Sequence, residues 1–582
     1  MPMNSRCTRG LAAGSVLLFA VSAQAQLRVV TYNTNTFQPG TPNGVQRFTQ
    51  PEVDTVIRAI GEETVNGISR APDILLFQEH QRPNTTTQNL VDRLNAIYGS
   101  GFYARGFETG FTSGGSGTGT LSGREIRPTA IYRTDSVELI SEDSFGFVSG
   151  STQPRETLQY QFRPVGYGAE ADFYVVNSHF KAGDSSSDLD RRFAEAVNLR
   201  DRADSFGAGA NVIAVGDLNV DSSFEESFVR LYEEPGTFIA NDVFTGEVGG
   251  ARPFSTTVDR TLGDGQLFDP IDEPGVWNNN FAFRDIHTQS PFNSGDSNSP
   301  FTGGGIDDRF DFILTSGELL DDDGLAIIDG SYRAFGNNGS TYNDAINDGN
   351  TITINGLTSF TTDQVLDALA VASDHLPVVA DFQLPAVLAA AADAAPATLR
   401  VGEDFDLGVT IANAADVLTV NGADELDYTL SVTGDLLGSA SGTDAALGGG
   451  VLEFVGLDTA TPGLKSGVIT VATSSQGAAN SLINLPISFE VIASFLTGDY
   501  NGDGFVSQAD LDLVLLNWGN AALPSGWAAA DQFDGVQISQ NELDGVLLNW
   551  GNGNPPDLNA IPEPGTATAV VVLVGLLRRR RR

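Results

Sequence analysis

Hydrophobic and polar positions divide the first two thirds of the chain into short apolar runs, several of which carry a polar pair at one end. Residues 371–382 read VASDHLPVVADF, with Asp374 and His375 at the start of the run. Runs of this length predict buried strands. Three upstream runs stop at a carboxylate, a histidine or both, in residues 77–80, 177–183 and 216–219. These polar groups are therefore expected to converge at strand ends, as functional side chains of α/β proteins do.

The segments between these runs have a different period. Amphipathic helices are predicted where apolar residues lie on one side only, in residues 51–60, 88–98 and the arginine-rich 189–204. Further strands are predicted in residues 27–37, 129–135, 172–180, 211–219 and 309–316. Residues 111–123 and 238–305, rich in small and polar residues, predict loops. Alternating strands and helices indicate an α/β domain over residues 27–384.

The pattern changes after an alanine-rich stretch, residues 385–396, which predicts a linker. Residues 397–494 consist of short alternating segments separated by Gly, Asp and Asn, which is typical of an immunoglobulin-like all-β sandwich. This stretch contains no histidine and no cluster of functional groups. Its expected role is spacing or adhesion.

The last hundred residues hold an internal repeat, because LDLVLLNWGN at 511–520 recurs as LDGVLLNWGN at 543–552. Residues 561–582 then contain a Pro-Glu-Pro motif, an apolar run and five arginines. That run has about a dozen residues, fewer than the roughly 20 that a membrane-spanning helix needs. Arginines that follow such a run are expected to stay cytoplasmic.

Composition also indicates where the protein is located and how its surface is charged. Residues 1–25 have a basic start, an apolar run and a small-x-small end, which predicts a secretory signal peptide and an exported mature chain. The only cysteine, Cys7, lies in that segment, so no disulfide is expected. A chain of 582 residues predicts two to four domains. The formal net charge of −42 opposes long-range attraction of nucleic acid unless a metal or a local basic groove intervenes.

Six motifs occur in a fixed order along residues 27–384: YNTN, FQEH, NSHF, GDLN, RFDFIL and SDHLP. In this order they resemble the motif set of the endonuclease/exonuclease/phosphatase superfamily, the deoxyribonuclease-I-like proteins. The resemblance implies a four-layer α/β/β/α sandwich that hydrolyses phosphate esters with a divalent metal, Mg²⁺ or Mn²⁺. Hydrolysis of this kind needs a cation, a base for water and donors for the developing oxyanion.

The resemblance also implies a role for each site residue. The expected metal ligands are Glu79, Asn33, Asn35 and Asp374. The expected catalytic residues are His179, Asp217, Asn219, Asp311 and His375, with Asp311 orienting His375 as the base for water. Arg155 is expected to contact phosphate. Taken alone, any one of these side chains reads as a strand-end cap or a structural residue, and the prediction rests on their joint occurrence.

The predicted function is a secreted phosphodiesterase, in the first instance a nuclease with nucleic acid as substrate. That preference comes from the HFKAG loop and the arginines of the helix after it. A phosphatase or a lipid phosphodiesterase of the sphingomyelinase kind is the alternative. An inactive adhesion or scaffold protein is a third reading, which the intact motif set opposes.

Residues 496–552 resemble a type I dockerin, a small helical module built on EF-hand-like loops. The resemblance implies Ca²⁺ binding by the first repeat, with these residues at loop positions 1, 3, 5, 7, 9 and 12: Asp499, Asn501, Asp503, Phe505, Ser507 and Asp510. The second repeat departs from the pattern, so one good site is expected. A cohesin-type partner and a calcium-stapled module without a partner remain alternatives. Residues 561–582 resemble a PEP-CTERM sorting tail, which implies processing by membrane sorting machinery and a cell-surface or extracellular location.

Overall fold

The computed structural model describes residues 24–34, 51–80, 83–106, 127–146, 154–243, 257–292 and 303–555. Its strands up to residue 383 are β1 Gln24–Ala25, β2 Leu27–Asn33, β3 Ile74–His80, β4 Tyr103–Arg105, β5 Arg127–Arg133, β6 Val137–Phe145, β7 Thr157–Pro164, β8 Phe173–His179, β9 Val212–Asp217, β10 Phe238–Val243, β11 Thr257–Thr261, β12 Asp311–Thr315, β13 Ala326–Ile327, β14 Arg333–Ala334 and β15 Val378–Gln383. The helices of this part are α1 Pro51–Glu62, α2 Pro83–Tyr98, α3 Ser186–Phe206, α4 Glu226–Tyr232 and α5 Thr362–Ala372. The three helices predicted from apolar stripes are present, and each is longer than its stripe.

Two β-sheets form the centre of this domain. The first has the order β13-β15-β2-β3-β5-β4, with β14 also paired to β15. The second has the order β12-β9-β8-β7-β6. Strands β2 and β3 are parallel, as are β8 and β9, whereas β15 runs antiparallel to β2 and β12 runs antiparallel to β9. A separate antiparallel hairpin, β10 and β11, interrupts the region predicted to be irregular.

Apolar residues of both sheets pack against one another, and helices cover the outer faces. Strand β2 shows why its apolar run is continuous: Leu27 and Val29 face the second sheet, whereas Val30 and Tyr32 face helices. Helices α1, α2 and α5 pack on the first sheet. Helices α3 and α4 pack on the second sheet. The predicted α/β/β/α layering is therefore present.

A buried ion pair joins the centre of the first sheet to the loop after α1. Arg28 on β2 donates to Asp381 on β15 at 2.7 Å and 2.9 Å, and both side chains are fully buried. Its guanidinium also donates to the carbonyl oxygens of Ile60 and Ile68, at 2.6 Å and 3.3 Å. Because a buried charge without a partner is costly, this pair fixes β2 against β15.

A second β-rich region follows. Its strands are β16 Leu388–Ala392, β17 Thr398–Arg400, β18 Asp406–Asn413, β19 Asp416–Val417, β20 Leu426–Gly434, β21 Leu436–Leu437, β22 Ala440–Asp444, β23 Val451–Leu457, β24 Gly463–Thr473 and β25 Leu482–Ile492. Nine of them form two sheets, β16-β18-β23-β21 and β17-β25-β24-β20-β22, around one apolar core, and β19 pairs in parallel with β1. Residues 385–396 were predicted to be a linker, but residues 388–392 form β16, which pairs along its length with β18. Backbone pairing turns this low-complexity stretch into an edge strand of the sandwich.

The sandwich contacts the α/β domain directly. Leu384 donates its backbone N–H to Gly422 at 3.0 Å, and Tyr167 donates its hydroxyl to the Pro385 carbonyl at 2.8 Å. Val417 and Ala423 belong to the same apolar cluster as the residues between the two sheets of the α/β domain. The two regions therefore share part of one core.

The repeat near the end forms two helices, α6 Gln508–Leu516 and α7 Gln540–Leu548, around a small apolar core. Each helix begins with the same capping box, from Ser507 to Asp510 and from Ser539 to Glu542. Among the described residues, no helix is long and apolar enough to cross a membrane. The sorting tail and residues 1–23 of the predicted leader lie outside the described residues, whereas residues 24–25 of that leader form β1, which pairs with β19.

Candidate active site

Strand direction brings the predicted residues together at one edge. Asn33 and Glu79 lie at the ends of the parallel strands β2 and β3, and His375 precedes β15, which runs the other way. In the second sheet His179 and Asp217 end the parallel strands β8 and β9, and Asp311 begins the antiparallel β12. Strands β2 and β3 contact β9, and β12 contacts β15. All six side chains therefore meet where the two sheets face each other.

The centre of the site is a compact group of Glu79, His179 and Asp217. His179 Nε2 lies 3.7 Å from Glu79 Oε1 and 3.5 Å from Asp217 Oδ2. One ligand atom from each of the three lies within 4.8 Å of the others, close enough for one metal ion. Asn33 donates its amide to Asp217 Oδ2 at 2.9 Å and to Glu79 Oε1 at 3.5 Å. Two carboxylates, one imidazole and the amide nitrogen of Asn33 thus share one small space.

The backbone around this group is unusual at three positions. Glu79 has φ +58° beside a register shift between β3 and β5, and Asn219 has φ +50°. A left-handed conformation at a non-glycine residue costs about 1 to 3 kcal/mol. Gly216 has φ +143°, and a Cβ there would overlap the Ser178 carbonyl on β8. These conformations aim the carboxylates of Glu79 and Asp217 into the space between the sheets.

His375 is held at both ring nitrogens. Its Nδ1–H donates to Asp311 Oδ2 at 2.7 Å, which is the pairing the sequence predicted. On the other side, the amide nitrogen of Gln289 lies 2.8 Å from His375 Nε2. Asp217 Oδ2 lies 3.8 Å from the same Nε2, so the imidazole faces the carboxylate group.

The titratable groups influence one another strongly. Burial raises the pKa of Asp217 to about 7, and the charge of Asp311 adds to this rise. Burial and the charge of Asp374 raise the pKa of Glu79. Burial opposes protonation of His375, but Asp311 and Asp217 outweigh it and raise its pKa to about 10. Burial, with Arg155 and His375 nearby, holds the pKa of His179 well below its usual range. The site therefore contains more negative charge than its own residues neutralise.

Asn219 and Arg155 lie beside the centre. Asn219 donates its side chain to Asp217 Oδ1 at 2.6 Å and to the Phe180 carbonyl at 3.1 Å. Arg155 donates to the carbonyl oxygens of His179 and Phe180. Its backbone N–H donates to Glu195, a buried carboxylate that also accepts from the N–H of Lys181. Arg155 thus braces the loop that carries His179.

The structure tests the placement of the predicted residues. Asn33, Glu79, His179, Asp217, Asn219, Asp311 and His375 are brought together. Asp374 is buried next to His375 and acts on Glu79 through its charge. Asn35 lies outside the described residues. The sequence did not indicate three residues that hold the site: Gln289, Ser373, which donates to the Asn33 carbonyl at 2.6 Å, and Thr288, whose hydroxyl accepts from the Asp311 N–H at 3.3 Å.

The arginines of α3, which favoured a nuclease at the sequence level, are engaged inside the domain. Arg192 pairs with Glu225 at 2.7 Å, and Arg200 pairs with Asp204 at 2.8 Å. Arg202 pairs with Asp143 at 3.1 Å. The helix is basic in sequence, but these guanidinium groups neutralise carboxylates of the same domain.

An acidic rim, defined as Asp184, Asp221, Asp307 and Asp308, lies beside the site. Asp221 accepts from Asn278 at 3.3 Å, and Asp308 accepts from the Asn279 N–H at 3.3 Å. Burial and the charge of Asp184 raise the pKa of Asp221 to about 6. Burial and the charge of Asp307 raise the pKa of Asp308 to about 6. In the sequence these residues lie within two positions of the motifs that supply His179, Asn219 and Asp311, and Asp308 forms a backbone bridge with Gln289, which contacts His375.

The carboxylates of the predicted calcium loop accept hydrogen bonds from the backbone of the same loop. Asp499 accepts from the N–H groups of Gly502 and Gly504 at 2.8 Å and 2.9 Å. Asp510 accepts from the N–H groups of Asn501 and Ser507, each at 2.9 Å. Asp503 accepts from the Phe505 N–H at 2.9 Å. The six residues named from the spacing therefore lie on one closed loop.

Solved structures align with the α/β domain. The human Nocturnin catalytic domain with bound sulfate is 14% identical over 62% of this chain and 95% of its own, with a TM-score of 0.32. TDP2 of D. rerio with a single-strand DNA product is 13% identical over 62% and 99%, with a TM-score of 0.34. A mannosyl-6-phosphatase of Bacteroides thetaiotaomicron is 16% identical over 61% and 99%, with a TM-score of 0.31. No protein-family model and no curated protein matches the chain. At these scores the alignments do not assign a family or an activity.

Proposed function

We propose that the α/β domain is a divalent-metal-dependent phosphoric ester hydrolase. The observation that carries this proposal is the pairing of His375 with Asp311 at 2.7 Å, directly opposite the group formed by Glu79, Asp217 and His179. A histidine oriented by a carboxylate is suited to accept a proton from water. A cluster of carboxylates beside it is suited to a hard cation.

The residues present fit Mg²⁺ or Mn²⁺. Glu79 and Asp217 offer carboxylate oxygens, the ligand type that these ions prefer. Asn33, whose amide nitrogen donates to both carboxylates in this structure, would offer its amide oxygen after a half-turn of the amide. The raised pKa values of both carboxyls indicate negative charge that a cation would compensate. A bound cation supplies Lewis-acid stabilisation of charge on the phosphoryl oxygens. Asn35 and Asp374 remain further candidate ligands.

The protein's own side chains are proposed to supply the base for water and to position the phosphate. Asp311 accepts the Nδ1–H of His375 and so leaves Nε2 as the ring nitrogen that faces the carboxylate group. The charges of Asp311 and Asp217 raise the pKa of this ring, and a cation bound at Glu79 and Asp217 would offset part of that charge, so that Nε2 could lose its proton and then receive one from water. Asn219 orients Asp217 through a 2.6 Å hydrogen bond. His179, kept neutral by burial, is placed to donate to a phosphoryl oxygen through Nε2. Arg155 holds the loop of His179 and, with that loop, is proposed to lie near the bound phosphate.

Two substrate classes follow from different observations. A nucleic acid is the class that the motif order favours, and a nuclease is our first proposal for the substrate. A smaller phosphoester, such as a monoester or a phospholipid headgroup, is favoured by the acidic rim and by the internal pairing of the α3 arginines. The carboxylates of the acidic rim repel a polyanionic strand and so raise the energy of its binding nearby.

Hydrolysis by the full chain tests the function. The substrates are plasmid DNA, RNA, bis-p-nitrophenyl phosphate, p-nitrophenyl phosphate and sphingomyelin, each with Mg²⁺, with Mn²⁺ and with EDTA. Metal-dependent turnover that His375→Ala and Asp311→Asn lower by about 10²- to 10⁴-fold is the expected result. Asp54→Asn on α1, whose carboxylate accepts from Arg93, a residue not assigned to the site, is the matched control. No turnover of any substrate, or turnover that the two variants leave unchanged, would reject the proposal.

We further propose that the C-terminal helical module binds Ca²⁺ through the loop of Asp499 and Asp510 and docks on a cohesin-type partner. Each helix ends with an exposed Leu-Leu-x-Trp segment, in which Leu516 and Leu548 are 83% and 84% exposed. Calorimetric titration of the full chain with Ca²⁺, beside Asp499→Ala, tests the ion site. A cohesin-type domain added with and without Ca²⁺ tests the partner.

We also propose that the mature chain is exported and that its tail is handled by membrane sorting machinery, so that it is secreted or held at the cell surface. This proposal rests on residues 1–25 and 561–582 of the sequence. Mass spectrometry of the termini of the mature protein tests it. Termini that keep either segment in full would contradict it.

A further inference from the structure

Gln289 lies at the one ring nitrogen that the proposed reaction needs. Its side-chain nitrogen is 2.8 Å from His375 Nε2, whereas Asp311 occupies the opposite nitrogen, Nδ1, at 2.7 Å. The imidazole is therefore held from both sides in one plane. Asn33 is the next amide group, with its nitrogen 3.5 Å from the same Nε2.

The backbone of Gln289 is fixed to both halves of the catalytic pair. Residue 289 forms a bridge with His375 and another with Asp308, three residues before Asp311. Leu376 donates its N–H to the Thr288 carbonyl at 2.7 Å. The Thr288 hydroxyl accepts from the Asp311 N–H at 3.3 Å. The segment 288–289 thus ties the strand of Asp311 to the residue after His375, and it aims one amide at the imidazole.

An amide suits this position because it bonds the ring nitrogen in either protonation state. Its NH₂ group donates to the lone pair of a neutral imidazole, and its oxygen, after a half-turn of the amide, accepts from a protonated one. Methionine or alanine does neither, and a carboxylate bonds only the protonated ring.

We propose that Gln289 is a positioning residue for His375: it keeps the imidazole in the plane set by Asp311 until the attacking water replaces the amide at Nε2. This inference rests on the proposed hydrolytic function. Gln289 acts through His375 and not through the substrate. Its loss lowers the rate of the chemical step and leaves substrate binding nearly unchanged.

Kinetics of Gln289→Met and Gln289→Glu in the full chain form the first arm of the test. Methionine keeps the length and bulk of the side chain, so a fall in kcat of about 10- to 100-fold with KM changed less than about 3-fold is expected. The glutamate variant holds a protonated ring and falls further. Gln266→Met, in which the lost amide bonds only the Tyr232 carbonyl, is the control that keeps wild-type rates. Wild-type kcat in Gln289→Met, or a loss that lies entirely in KM, overturns the inference.

Nitrogen NMR of the imidazoles forms the second arm and needs no activity. The chain has four histidines, so the ring signals are few. In the metal-free protein, Gln289→Met is expected to move the Nε2 signal of His375 and to leave its Nδ1–H and the other histidines in place. An unmoved Nε2 signal overturns the inference even if hydrolysis is observed. A moved signal in a protein that hydrolyses no substrate supports the contact and rejects the hydrolytic function instead.

Discussion

Replacing Asp217 by asparagine should stabilise the metal-free α/β domain at alkaline pH while abolishing activity. Asp217 is 2% exposed, and it lies near Glu79, Asp311 and His375. Burial raises its pKa from 3.8 to about 7. Between these two values the folded carboxyl keeps a proton that the unfolded carboxyl has released. Stability therefore falls as the pH rises through this window, and the full cost is present above pH 7.

The size of the stability change follows from the same two pKa values of Asp217. A difference of about three pH units, at about 1.4 kcal/mol each, gives a cost of about 4 kcal/mol above pH 7. Asparagine carries no charge and so removes this cost. Its NH₂ group, however, would face the NH₂ group of Asn33, so the hydrogen bond that Asn33 donates to Asp217 is lost, at a cost of about 1 to 2 kcal/mol. The net expectation is a gain of about 2 kcal/mol at pH 8 and a loss of about 1 to 2 kcal/mol at pH 4.

The assay is urea unfolding in EDTA at both pH values, followed by hydrogen-exchange protection of peptides from β2 and β9. Asp188→Asn is the control of opposite sign, because its pairing with Lys181 lowers the pKa of Asp188 to about 2. That variant should lose stability at pH 8. Equal destabilisation of Asp217→Asn at pH 8 and pH 4 would refute the reasoning, since it would show that the carboxylate carries no electrostatic cost in the fold.

Three further predictions concern the domain around the site. Arg28→Leu removes the bidentate partner of the buried Asp381, which then keeps only Arg333 at 3.8 Å, and should lower the free energy of unfolding by about 3 to 5 kcal/mol, whereas the double variant with Asp381→Leu should recover part of this; urea unfolding measures both. Burial lowers the pKa of His287 to about 4, so its contribution to stability is complete above pH 6.5 and is lost as the pH falls towards 4; unfolding of His287→Gln should show a flatter profile over that window, and an identical profile would contradict this. Gly216→Ala should cost more than about 2 kcal/mol and most of the activity, because its Cβ meets the Ser178 carbonyl; wild-type melting and turnover would show that β9 can shift without harm.

The sequence was sufficient to predict that the site residues lie together at strand ends, because each strand end is indicated by a few consecutive residues. An apolar run that stops at a polar pair indicates both a strand and its end, and parallel neighbours place such ends at the same edge. Asp217, His179 and Glu79 were found in this way. The pairing of Asp311 with His375 came from the motif order, and the structure shows it at 2.7 Å.

The remainder depends on contacts that no local pattern encodes. Gln289 lies in an irregular stretch without apolar period, and its role arises from a bridge to a residue 86 positions later. The arginines of α3 show positive charge in the sequence but not the direction in which each side chain points. Residues 388–392 lack an alternating pattern, and their strand exists only because β18 offers a free edge.

The central place of β2 has a consequence for the order in which activity can arise during synthesis. Strand β2 is the first strand of the two central sheets to be made, but it pairs on one side with β15, which ends at residue 383. A nascent chain that has not reached this point lacks both that partner and His375. Contacts between such distant residues close large loops and slow folding. Strand β2 therefore lacks its neighbour β15 until the domain is almost complete, and a shorter ribosome-bound fragment carries Glu79, Asp217 and Asp311 but not His375, the proposed base.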